Sequence, residues 1–209
     1  LFFLSDKLES QYFQQLKERA RQAKAQQKRL IRNKIESFKA FHELSDVDVY
    51  IDQALVQFDT AETGYEDILG LLDLQLSQGE TTYAMFFETA EQLLHNLIDN
   101  LNHVAMALQG VKSINVKLVN QNIRILEGQP SLDERDEKQL KTFRERMDIR
   151  HQHIDNISDF LTKNEQILTV LEKGTLAVTQ MKTGDKYAET DLDQSIENMQ
   201  SLLQAVKNF

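Results

Sequence analysis

Cysteine is absent from the 209 residues, proline occurs once, at Pro130, and glycine only seven times. The first absence excludes disulfides and thiolate metal sites, although it leaves the compartment open. The other two leave little material for turns, so the chain must be built from a few long elements. No apolar run approaches the roughly 20 residues that a spanning helix needs. Catalytic signatures are missing too. There is no Gly-rich phosphate loop, no nucleophile elbow, no Cys–His pair and no zinc-protease helix motif.

Five histidines and many carboxylates invite comparison with di-iron bundles, whose sites use two Glu-x-x-His pairs and two further Glu, all facing inward. No Glu-x-x-His occurs here. The nearest features are Asp148 and His151, with His153 close by, and Glu91 with His95 four residues on. The second pair suits a surface hydrogen bond, far short of four to six converging ligands. We therefore expect no enzyme, no metal, no cofactor and no small-molecule substrate.

What the chain does contain is a seam. Leu, Gln, Glu, Lys and Ala dominate, a mixture that favours helix over sheet. Val47, Ile51, Ala54, Phe58, Ala61, Tyr65, Ile68 and Leu72 alternate three and four apart. A second run takes in Phe87, Ala90, Leu94, Leu97, Leu101, Val104, Leu108 and Val111, with Leu118 and Ile125 in the same frame. Leu140, Phe143, Met147, Ile154, Ile157, Leu161, Leu168, Leu171 and Val178 form a third, and Leu192, Ile196, Met199, Leu203 and Val206 a fourth. A spacing of 3.5 marks helices that pack along one face and supercoil. The expected fold is all-α: an elongated, coiled-coil-like antiparallel bundle of three to four long helices, plus a basic N-terminal helix.

Punctuation sets the expected boundaries. The first helix runs from Ser5 to about His42, with a stretch from Lys17 to Arg29 too polar to bury, and packing resumes at Leu30 and Ile31. Ser45 caps a second helix reaching about Ser77, which passes through Gly64 and Gly70. After Gln78-Gly79-Glu80, a third helix of about 45 residues runs from Thr81 to Leu126, long enough for roughly 68 Å. Asn115 and Asn122 fall at core positions of its frame, and the favoured reading leaves both wet. Ser131 and Glu134 form a capping box after Pro130, opening a fourth helix to about Met181. Thr183-Gly184-Asp185 ends it, and Thr190 or Asp191 caps a last helix to Phe209. Two units are expected, a basic N-terminal helix over 1–44 and a bundle over 45–209.

The net charge of −9 conceals an asymmetry, since residues 1–40 carry +6 and the remainder −15. Cations that follow the apolar start Leu1-Phe2-Phe3-Leu4 suit the cytoplasmic face of a membrane and anionic headgroups. Lys24, Lys28, Arg29 and Arg32 are the expected contacts. The alternative is that the helix lies along its own acidic bundle. Nucleic acid is disfavoured, because residues 14–30 offer no aromatic for stacking. Tyr83, Phe86 and Phe87 are a candidate docking patch, since a heptad seam needs only one of two adjacent phenylalanines. Arg144, Glu145, Arg146, Asp148 and Arg150 read as surface ion pairs. The expected function is a non-enzymatic scaffold or protein-interaction domain at the cytoplasmic face of a membrane, tethered through a segment preceding residue 1. Its partners would be other protein chains, including copies of itself. A ligand-responsive signalling bundle and a soluble cytoplasmic protein are the alternatives.

Overall fold

The computed structural model describes residues 22–41, 44, 46–77 and 80–180, and every regular element among them is helical. Helix α1 covers 22–37 and passes into a 3-10 turn, Phe38–Ala40. Four helices follow: α2 (Asp48–Gln75), α3 (Thr81–Lys112), α4 (Val116–Glu127) and α5 (Glu134–Gln180). The expected start at Ser5, the caps at Ser45 and Thr190 or Asp191, Gly79 and the last helix lie outside the described residues.

Side-chain contacts fix the directions. α2 and α3 form an antiparallel pair, with Tyr83 Oη donating to Asp73 near their shared turn. α5 returns antiparallel to α3, since Asn100 meets Asn164 and His103 stacks on Phe160. It therefore runs parallel to α2, where Gln57 meets Leu161 and Glu165. α1 is antiparallel to α2 and touches α3 as well. Among the described residues the result is an up-down-up-down four-helix body, beyond which α4 and the first third of α5 continue as a two-helix arm. At ~1.5 Å per residue, α5 alone extends about 70 Å.

The α2 seam is buried along its length apart from Tyr65, which is half-buried. α3 buries a broader face, because it meets α1, α2 and α5; Leu93, Leu97, Leu101 and Leu108 are fully covered. Burying a Leu side chain contributes on the order of 1.5–3 kcal/mol, so this spine supplies much of the cohesion. In α1, residues 22–27 and 29–30 are exposed, as a polar stalk must be, and burial begins at Ile31. Leu30, expected to pack, is instead 62% exposed. Ile31, Ile35, Phe38 and Leu44 share one continuous core with the other helices.

Three boundaries differ from expectation. The first helix ends at Ser37 rather than near His42. The long third helix is two: α3 stops at Lys112, and Asn115 caps α4, its side chain accepting from Leu118 N–H. This break turns the frame by one residue, so Val119 and Leu126 are buried while Leu118 and Ile125 stand over half exposed. Asn115 is exposed, and Asn122, half-buried, bonds back to the carbonyl of Leu118. The third difference is the start of α5, where Asp133 and not Ser131 provides the cap, accepting from Asp136 N–H at 2.8 Å.

Candidate functional site

Helix α1 and the 3-10 turn that follows it present cations to carboxylates of α2 and α3. Lys24 reaches Glu91 at 2.9 Å, Lys28 reaches Glu62 at 3.2 Å, and Lys39 reaches Asp52 at 2.6 Å. Arg32 grips both oxygens of Asp59 and also bonds Glu36 one turn on. The hydrogen bond and charge of Asp59, aided by Glu36, raise the Arg32 guanidinium above its ordinary value. Three of the four expected surface cations are thus engaged within the chain, and Arg29 stands exposed. The pairs are largely open to water, so each is worth about 0.2–1 kcal/mol and weakens with salt. Beyond the 3-10 turn, Lys112 at the end of α3 sits 3.3 Å from the Phe41 ring centre, a further tether.

The expected docking patch divides. Phe86 belongs to the core at 1% exposure, whereas Tyr83 and Phe87 stack on each other at its edge and are half-buried. The seam of expected contacts placed Phe87 inward; the wide inner face of α3 takes its neighbour instead.

Buried polar side chains are the features that sequence reasoning missed. Gln57 is 1% exposed and donates to the Leu161 carbonyl and to Glu165, leaving its Oε1 without a partner. Asn164 is 0% exposed; its carbonyl accepts from Asn100, and its Nδ2 is without a partner. Arg150, expected among surface ion pairs, is buried at the root of the arm. One of its terminal nitrogens meets both oxygens of Asp46, at 2.7 and 2.8 Å, while its Nε has no partner. It is buried because it occupies a seam position of α5, two heptads before Asn164. Its neighbour Arg144 does bridge the arm's surface, reaching Glu127 at 2.7 Å.

The titratable groups with metal-like spacing disperse. Glu91 pairs with Lys24, and His95 turns to Asp99 at 3.4 Å. His151 is exposed, whereas the ring of His153 lies against Gly110 of α3. Among the described residues no three His, Asp or Glu side chains converge as metal ligands. A groove of about 530 Å³ runs between α2 and α5, lined by Asp59, Thr63, Asp67, Leu171 and Glu172 and open to solvent. Among the described residues no helix is long and apolar enough to cross a membrane. Together these define an all-α helical bundle. The chain matches no known family, no curated protein and no solved structure.

Proposed function

We propose that this chain is a non-enzymatic helical scaffold, a protein-interaction domain held at the cytoplasmic face of a membrane. The observation that carries the scaffold reading is the arm. Six of the twelve residues of α4 are large aliphatics, yet only Val119 and Leu126 are buried. A helix with apolar residues on two flanks suits more neighbours than α5, the helix that packs on it among the described residues. Its partners are other protein chains, with a second copy among them. The membrane part rests on the +6 charge of residues 1–40 against −15 elsewhere, which draws the basic segment to anionic lipid and holds the acidic remainder away.

Sedimentation with vesicles of phosphatidylcholine and phosphatidylserine tests the membrane part. Binding should need phosphatidylserine and fall steeply as salt rises; its absence at low salt would remove that part. Light scattering with and without the substitutions Leu118→Asp and Ile125→Asp tests self-association, and an unchanged monomer mass throughout would leave only unlike partners.

A second reading, a signal-transducing bundle, is favoured by the polar side chains of the core. Gln57 Oε1 and Asn164 Nδ2 are a buried acceptor and donor, each unpaired, on adjacent helices. A small sliding of α5 against α2 that let them bond would offer a second discrete arrangement. Relaxation dispersion on these two side-chain amides tests it, and a flat profile removes it.

A further inference from the structure

The two faces of α1 differ in kind. Its inward face is built from Ile31 and Ile35 and continues into Phe38, all buried. Lys28, Arg32 and Lys39 follow one border of this stripe, with their charged ends on Glu62, Asp59 and Asp52. Its outward side carries Gln26, Gln27, Arg29, Asn33 and Lys34, with Leu30 as its one large apolar side chain. An apolar stripe bordered by cations is what lets a helix lie in the headgroup region of an anionic bilayer. In α1 that stripe is the face turned toward the bundle.

We propose that α1 binds anionic lipid with the same face that it buries against α2 and α3, so that membrane attachment and docking on the bundle exclude one another. This rests on the membrane part of the function proposed above. Three observations make α1 releasable. Among the described residues of α1 only Ile31 and Ile35 are buried, with Phe38 just beyond them, against thirteen buried residues in α3. Its ion pairs are reached by water, so lipid phosphates and carboxylates can take the place of the protein's own. The chain also leaves helical geometry at Phe41, with φ −103° and ψ 103°, before α2 begins, so α1 is not continuous with the helix it lies on.

The uncovered bed would contain Asp52, Asp59, Glu62 and Glu91, which the same bilayer repels. Lipid thus draws α1 and pushes the body away, and both effects favour separation. A nucleic acid would use the cations but not the apolar stripe, and 22–37 contains no aromatic for stacking.

The chain has no cysteine of its own, so Lys24→Cys with Glu91→Cys gives two unique thiols at positions whose native side chains touch. A short bis-maleimide then fastens α1 to α3, and the unlinked double variant carries the same charges. Unlinked protein should bind phosphatidylserine vesicles about tenfold or more tighter than linked protein, since each sequestered cation forfeits lipid attraction. Equal binding by the two forms overturns the proposal while leaving membrane attachment intact. Failure of both forms to bind overturns membrane attachment and the proposal with it. Binding of the unlinked form to duplex RNA but not to vesicles also overturns it.

Discussion

Alanine at Gly70 and alanine at Gly110 are the same chemical change inside two helices, and their surroundings give them opposite signs. Glycine within a helix costs about 0.5–1 kcal/mol relative to alanine, through backbone entropy. At Gly70 an added Cβ would meet nothing within 4 Å, so Gly70→Ala should stabilise by that full amount. At Gly110 the Cβ would fall among Nε2, Cε1 and Cδ2 of His153. The ring is half-buried between α3 and α5, and displacing it should cost about 1–3 kcal/mol, as overpacking does elsewhere. After the helix gain of about 0.5–1 kcal/mol is subtracted, Gly110→Ala should destabilise by up to about 2.5 kcal/mol. Removing the ring reverses the sign: in a His153→Ala background, Gly110→Ala should stabilise by about 0.5–1 kcal/mol. Urea unfolding followed by far-UV circular dichroism on all four members of the cycle gives the coupling directly. In thermal melts each kcal/mol should appear as roughly 2–4 °C. If Gly110→Ala stabilises in both backgrounds, His153 swings aside freely and the close approach of α3 to α5 does not depend on this glycine.

The frame of the arm is testable with one pair: Val119→Ala should cost about 1–3 kcal/mol and Leu118→Ala under about 0.5, by burial. Equal losses would restore the frame expected from sequence. At the arm's root, Asp46→Asn removes the charge facing buried Arg150 and should cost about 1–3 kcal/mol, discounted because Asp46 is itself exposed. Arg150→Met should cost less than Asp46→Asn, because it leaves no buried charge behind, and the opposite order in urea midpoints would refute this account of the pair.

Much of the fold was legible because apolar spacing and helix burial share one cause. The α2 run from Val47 to Leu72 needed no correction in register. Elsewhere the spacing underdetermined the answer. Phe86 and Phe87 are adjacent, and only the number of neighbours around α3 decides which turns inward. The break before Asn115 was missed because Leu118 and Ile125 continue the seven-residue spacing, while a cap that turns the frame by one residue is a local hydrogen-bond event. Asn115 is a good capping residue and could have signalled it. The buried polar residues did leave a trace. The α5 run skips from Met147 to Ile154 and from Leu161 to Leu168, and the missing beats are Arg150 and Asn164. A polar residue on a beat reads as exposure unless its partners, Asp46 and Asn100, are known to be near. The pairing of α1 cations with Asp52, Asp59, Glu62 and Glu91 was open for the same reason, since charge asymmetry says that attraction exists but not which surface receives it.

The parallel pairing of α2 with α5 also orders events in time. Gln57 takes its carbonyl and carboxylate partners from residues 104 and 108 positions later in the chain. During synthesis α1, α2 and α3 emerge first, and their hairpin contacts can form as they appear, being short in sequence separation. Until α5 has left the ribosome, however, the inner surface of that three-helix intermediate is uncovered, with the Gln57 amide at its centre still open to water. A hydrated amide there discourages premature closure around the wrong helix, whether from the same chain or from one on a neighbouring ribosome. Completion of the core among the described residues therefore waits on α5.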